Sequence, residues 1–154
     1  MTFKRLAEYF EKLEETSSRL ALIDILSDLF SEVKADEVPM VAYLIQGRVA
    51  PFYEPIEMGM AEKSVAAAIG RAYGISREEI LKEYGQVGDL GKVAATSNLK
   101  CKIENLKLSI KDVFDTLRDI ADFSGDGTVE NKISTLESLL KSVSAIEAKH
   151  LSRI

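Results

Sequence analysis

The sequence predicts an all-α fold: an irregular multi-helix domain made of two similar helical halves, the second incomplete. Three observations carry this expectation. Apolar residues recur at three- and four-residue spacing through most of the chain, the period of a helix with one buried face. Helix-hostile residues are few, with 9 Gly and 3 Pro, and aromatics stand at 7%, which argues against a strand-and-turn sandwich. One pattern, two amphipathic stretches around a small polar break, also occurs twice. With 154 residues, 46% hydrophobic and 29% charged, residues 1–154 read as a single domain that builds a core without disulfides or a structural metal.

The elements follow in order. Thr2 caps a first helix whose apolar face is Phe3, Leu6, Ala7, Phe10 and Leu13. Thr16, Ser17 and Ser18 break it and cap a second helix with Leu22, Ile23, Ile25, Leu26, Leu29, Phe30 and Val33, a set wide enough to be buried on most sides. Asp36 is expected to cap a third helix running through Ile45, with Pro39 in its first turn and Gly47 as its stop. Arg48–Gly59, with Pro51 and Pro55, reads as an extended connection. A helix from Ala61 to Tyr73 ends at Gly74, and Ser76 with Glu79 forms a capping box for Arg77–Tyr84.

Gly85, Gly88 and Gly91 surround a helix start at Asp89 that continues through Ala95, and the polar stretch 96–109 reads as a loop with room for an extended piece. Ser109 caps a helix bearing Val113, Leu117 and Ile120. After a break at Ser124–Thr128 comes a helix with Ile133, Leu136, Leu139, Leu140 and Val143, and Ser144 caps a last helix reaching Ile154.

The repeat is the organising feature. An offset of 107 places Leu6, Phe10 and Leu13 on Val113, Leu117 and Ile120. An offset of 110 places Ile23, Leu26, Leu29, Phe30 and Val33 on Ile133, Leu136, Leu139, Leu140 and Val143. The first copy continues through YLIQGRV, which has no counterpart after Ile154, so the reading expects a domain fragment with an apolar edge exposed near His150–Ile154.

The formal net charge is -5, but it is unevenly spread. Residues 1–62 hold 6 basic and 12 acidic side chains, while the remainder hold 14 basic and 13 acidic. Lys92–Lys111 is the one sustained basic run, with lysines at 92, 100, 102, 107 and 111 against the single acid Glu104; such a run is where polyanion binding is sought. A single Cys101 and a single His150 offer no internal disulfide and no Cys/His zinc set. No apolar stretch approaches the ~20 residues that span a bilayer, and the chain reads as intracellular.

Three helix starts qualify as anion sites, because the first N–H groups of a helix lack partners within it. The first is Ser17–Ser18–Arg19. The second is SGDGT at 124–128, where Gly125 and Gly127 permit close approach, Thr128 can cap and Lys132 lies one turn in. The third, Gly88, Gly91 and Lys92, has three nearby glycines but no GxGxxG or GK[ST] pattern; behind an Asp89 cap, Gly88 and Gly91 suit either close packing or close approach to a ligand. A calcium loop fits Asp122, Ser124, Asp126, Gly127 and Val129 but fails at position 12, which is Ile133 rather than a bidentate Glu. No nucleophile–base pair suggests a self-contained active site: His150 has no second His in register, and Cys101 has no His near it in sequence.

Taken in order, FKRLAEYFEKLEETSSRLALIDILSDLF, VAYLIQGRV, REEILKEYGQVGDLGKVA, VFDTLRDIADFSGDGTVENKISTLESLL and AIEAKHLSRI resemble the N-terminal DNA-binding domain of ATP-dependent DNA ligases of the archaeal and eukaryotic type. The resemblance covers nearly the whole chain; order and spacing carry it more than any one motif. It implies an all-helical domain of two similar halves that grips nicked duplex DNA across the minor groove, through loops and helix N-termini on the phosphate backbone. Carried over, the DNA contacts would be Ser17, Ser18, Arg19, Gly125, Gly127, Thr128 and Lys132, with Gly88, Gly91 and Lys92 as weaker candidates.

The resemblance also implies a role in DNA replication, repair and recombination, and a cytoplasmic, nucleoid-associated location. The Lys-x-Asp-Gly motif of the nucleotidyltransferase domain does not occur. This chain alone is therefore expected to be inactive, with no cofactor of its own, no catalytic residue and no metal. The parent ligase would use ATP and Mg, and its nucleotidyltransferase and OB-fold domains would be the chain's partners. The competing reading is a helical protein–protein interaction module without nucleic-acid binding, favoured by the acidic first third.

Overall fold

The computed structural model describes residues 1–101, 103 and 105–154; Lys102 and Glu104 of the basic run lie outside the described residues. Among the described residues there are nine helices and no strand. They are α1 (Phe3–Glu14), α2 (Arg19–Glu32), α3 (Val38–Ile45), α4 (Glu62–Tyr73), α5 (Arg77–Val87), α6 (Leu90–Lys100), α7 (Ile110–Asp122), α8 (Thr128–Leu140) and α9 (Ala145–Leu151).

Helix starts follow local chemistry. The Thr2 side chain accepts from the Arg5 amide, and Ser18 accepts from Ala21. Capping boxes close α5 (Ser76 and Glu79), α7 (Ser109 and Asp112) and α9 (Ser144 and Glu147). Two expected caps are corrected. α3 starts after Glu37, not Asp36, and Glu37 makes no side-chain cap because its carboxylate receives the buried Met1 ammonium at 2.6 and 2.9 Å. At α8 the N-cap is Gly127 in the left-handed region, φ 76°, while Thr128 is already helical and its hydroxyl donates to the Gly125 carbonyl at 2.5 Å.

Some boundaries also move. α5 continues past Tyr84 to Val87, through Gly85. α6 continues to Lys100, so residues 96–100 are helix rather than loop. That extension is held from inside: the Asn98 amide donates to the Tyr73 hydroxyl at 3.2 Å and to the Val143 carbonyl at 2.9 Å. The Tyr73 hydroxyl in turn donates to the Leu140 carbonyl at 3.2 Å, joining α4, α6 and α8, and burial pushes its pKa up to about 12. α9 ends at Leu151, short of Ile154.

α1 and α7 form the frame. An isolated bridge pairs Thr2 with Ser109, the Phe3 amide donates to Leu108 and the Ile110 amide to Met1, so the expected extended piece sits beside the N-terminus. α1 packs on α2, α7 and α9; α7 packs on α8 and α3; α4 packs on α5, α6 and α8; and α6 and α9 make the most extensive helix contact. Phe3, Leu6, Leu29, Ile69, Ile80, Ile110, Leu117, Ile120 and Leu140 are fully buried, each such apolar side chain stabilising the fold by about 1.5–3 kcal/mol.

The two repeat copies differ in burial. Leu6 and Phe10 are buried, as are Val113, Leu117 and Ile120. In α8 and just beyond it, Ile133, Leu136, Leu139, Leu140 and Val143 are all buried, whereas of their α2 counterparts only Leu29 is. The expectation that α2 is buried on most sides is therefore corrected: the helix packs on α1 and leaves Leu20 75% and Ile23 52% exposed. The expected apolar edge at the end of the chain is corrected too, since His150 and Leu151 are buried and Ile154 is half-buried.

Candidate nucleic-acid interface

The three helix starts singled out by sequence take different forms. At α2, Ser17, Ser18 and Arg19 are exposed. The Ser18 amide donates to the Thr16 hydroxyl at 3.1 Å, and Ser18 Oγ accepts from Ala21 at 3.4 Å. Arg19 enters no ion pair or side-chain hydrogen bond among the described residues. This start presents a cation, two hydroxyls and the positive end of a fourteen-residue helix to solvent.

At α8, Ser124, Gly125, Asp126 and Gly127 are exposed. Gly125 (φ 85°) and Gly127 (φ 76°) hold the turn in a conformation that L side chains avoid. No side chain caps the helix, so its first amides are open to an external acceptor. Lys132, expected to add a charge one turn into the helix, is turned inward. It is only 7% exposed, and its ammonium donates to the Met58 carbonyl at 2.7 Å. It thus pins the connection before α4 to α8, across a small recess shared with Gly59, Ser64 and Thr128.

At α6 the amides are already taken. Asp89 accepts from Gly91 at 2.9 Å and from Lys92 at 3.3 Å. The Arg153 guanidinium grips the same carboxylate, one of its contacts at 3.1 Å, and holds its pKa down to about 2. Gly91 is buried because α9 crosses there: a Cβ would lie 2.4 Å from the Lys149 carbonyl oxygen. Gly91 therefore serves helix packing. Gly88, at φ 74°, ends α5 in the open, and Lys92 is exposed. No hydrogen bond or ion pair among the described residues joins Ser17–Arg19 to Gly125–Lys132 or to Gly88–Lys92.

A network that sequence reasoning missed ties α1 to α9. Lys149 contacts Glu11 at 2.5 Å and Glu14 at 3.0 Å, and Arg153 pairs with both Glu14 and Asp89. His150, 5% exposed, has Nε2 2.7 Å from Glu11 and its ring edge on Phe10 at 5.1 Å. Burial pushes the His150 pKa below its usual range, against the pull of Glu11. Burial would raise the Glu11 pKa, but hydrogen bonds from Lys149 and His150 hold it low. Glu11, Glu14 and His150 lie close enough to ligate a metal, yet Lys149 and Arg153 already neutralise those carboxylates. The only local hint was acids on one face of α1 and the bases of EAKHLSRI, more than 130 residues away. Cys101 caps α6, and its thiol donates to the Tyr73 carbonyl at 3.4 Å. No helix is long and apolar enough to cross a membrane among the described residues.

Comparison of the sequence with known proteins points to a family. The family model described as "DNA ligase N terminus" matches residues 2–154. A probable DNA ligase of Dictyoglomus thermophilum is 41% identical over the whole chain, which spans 26% of that relative. DNA ligase 1 of Methanosarcina acetivorans is 39% identical over 99% of the chain and 26% of its own length. A DNA ligase of Acidianus ambivalens is 38% identical over 99% of the chain and 28% of its own length. The chain thus spans about a quarter of the curated relatives it matches, and it belongs to the DNA ligase N-terminus family.

Proposed function

We propose that this member of the DNA ligase N-terminus family binds duplex DNA, nicked duplex included, without sequence preference, as the DNA-gripping part of an ATP-dependent ligase in replication and repair. One observation carries the reading: the uncapped start of α8, where two left-handed glycines leave the first-turn amides open at an exposed turn. Backbone amides in that arrangement suit phosphate oxygens, which every sequence presents alike. The repeat-related start of α2 adds the exposed guanidinium of Arg19, without an ion pair among the described residues, and the hydroxyls of Ser17 and Ser18. Lys92, exposed in the first turn of α6, supplies a further cation. Contacts of this kind track the backbone along the minor groove and position the protein without reading base edges.

The ligation chemistry falls to other parts of such an enzyme. The chain contains no Lys-x-Asp-Gly, so the adenylyl-accepting lysine, ATP and magnesium would belong to a nucleotidyltransferase domain, with an OB-fold domain completing the grip. The contribution of this chain's residues is to bind and orient the duplex.

The test is fluorescence anisotropy with a nicked and an intact duplex across a salt series. Counterion release predicts a linear fall of log affinity with log salt. Arg19→Ala is expected to weaken binding to all sequences alike and to reduce the salt slope by about 1, with thermal unfolding unchanged. Affinity that does not move between ~50 and ~200 mM salt would refute the reading.

A further inference from the structure

The outer face of α2 is uncovered, and the repeat says what covers such a face. Leu20, Ile23 and Phe30 are 75%, 52% and 36% exposed, and their spacing of three and seven puts them on one stripe of the helix. Three large apolar side chains in a row on a fourteen-residue helix form a patch, unlike scattered exposed leucines. At the offset of 110, Ile23 and Phe30 correspond to Ile133 and Leu140 of α8, which are 7% and 0% exposed. The difference is α4. It packs on α8, where Tyr73 donates to the Leu140 carbonyl and Arg71 pairs with Glu130 at 2.5 Å. α4 follows the first copy in sequence yet covers the second. In a two-copy arrangement, the matching cover for α2 is a helix that follows the second copy.

We propose that the Leu20–Ile23–Phe30 face of α2 is the docking surface for an α4-like helix, drawn from the region that follows the matched part in the longer ligases. Two features define that helix. Like α4, which buries Ala66, Ala68, Ile69, Gly70 and Tyr73, it presents small residues and a few larger apolar ones for close approach. It also carries basic side chains beside this seam. Asp24 and Asp28 flank the stripe, are exposed, and enter no ion pair among the described residues, as Glu130 would stand without Arg71. The same aspartates disfavour a second copy of α2 as the occupant, since self-pairing would set like charges together. The inference rests on family membership and not on DNA binding.

The experiment titrates this chain with a peptide covering the residues that directly follow the matched region in the Dictyoglomus thermophilum relative. Calorimetry reads affinity, and hydrogen exchange reads α2. Saturable one-to-one binding is expected, with protection confined to Leu20–Phe30. Ile23→Glu and Phe30→Glu alter exposed positions, so their thermal unfolding should match the parent while binding falls at least tenfold. Asp24→Asn with Asp28→Asn should weaken binding and blunt its salt dependence. Absence of binding, protection elsewhere than α2, or sedimentation showing a dimer of this chain that Ile23→Glu dissolves would each overturn the proposal. Duplex affinity measured on the same variants separates this surface from the Arg19 contact, because each can fail while the other stands.

Discussion

Replacing Gly91 by alanine adds one methyl group where the structure has no room. Its carbon would stand 2.4 Å from the Lys149 carbonyl oxygen, 2.7 Å from Arg153 Nε and 2.9 Å from Arg153 Cγ. The arginine is a flexible chain and can turn aside, but the carbonyl is backbone of α9. To restore an ordinary contact of about 3.5 Å, α9 must retreat by about 1 Å from α6. That shift strains the most extensive helix contact in the fold and the Arg153–Asp89 pair beside it. Overpacking of this kind costs about 1–3 kcal/mol, against a gain of up to about 1 kcal/mol for alanine over glycine in a helix.

The net expectation for Gly91→Ala is therefore a loss of about 1–2 kcal/mol, a drop of about 3–7 °C in thermal midpoint for a chain of this size. Gly85 is the control. It sits inside α5 with nothing within 4 Å of a built Cβ, so Gly85→Ala should stabilise by about 0.5–1 kcal/mol. Thermal and urea unfolding followed by circular dichroism reads both. A Gly91→Ala protein as stable as the parent, but weaker on duplex DNA, would refute the packing argument and restore Gly91 as a DNA contact.

Two further outcomes follow from the ion pairs. The Asp89 carboxyl, held at about 2 by Arg153, titrates lower in the folded chain than in the unfolded one. Its stabilisation is complete above about pH 5 and is lost as pH falls towards 2, about 1 kcal/mol after solvent screening is allowed for. Asp89→Asn should thus shrink the difference in urea midpoint between pH 6 and pH 3; an undiminished difference would show that other carboxylates carry it. Lys132→Met keeps the aliphatic stem but deletes the bond to the Met58 carbonyl, at an expected cost of about 1–3 kcal/mol with duplex affinity unchanged. A variant of parental stability that binds DNA poorly would make Lys132 a phosphate contact instead.

What could be read from the sequence was what depends on neighbours along the chain. Ser76 with Glu79 and Ser109 with Asp112 are capping boxes because both partners lie within one turn. The apolar faces of α1 and α7 are buried as their period requires. Failures came where distant groups decide. The TSNLK stretch looked like a loop, yet Asn98 is 6% exposed because Tyr73 and Val143 satisfy its amide from 25 and 45 residues away. Glu37 stands at the start of α3 without capping it, since its carboxylate holds the N-terminal ammonium from 36 residues away. Nothing local reveals that Lys132 reaches the Met58 carbonyl, or which backbone, that of α9, comes close to Gly91. α2 shows the same limit in reverse. Its periodicity states which face is apolar, while burial depends on whether a partner helix arrives.

The acidic balance of the chain also depends on partners distant in sequence. A net charge of -5 argues against a polyanion ligand only if the acids face it. In the first third, Glu8 and Glu32 engage Arg5, Glu11 engages Lys149 and His150, Glu14 engages Lys149 and Arg153, Glu37 holds the N-terminal ammonium, and Glu54 lies 3.7 Å from Arg118. Arg5 and Tyr9 keep Glu32 ionised down to about pH 2. These acids are thus ion-paired within the chain, and within a Debye length of about 8–10 Å a phosphate meets local charge rather than the sum. At the start of α2 that local charge is Arg19, followed within three turns by Asp24 and Asp28. One short helix therefore offers a cation at its end and an acidic, apolar flank along its side. These surfaces call for different partners, which is why the proposed DNA contact and the proposed helix-docking face can share α2 without competing.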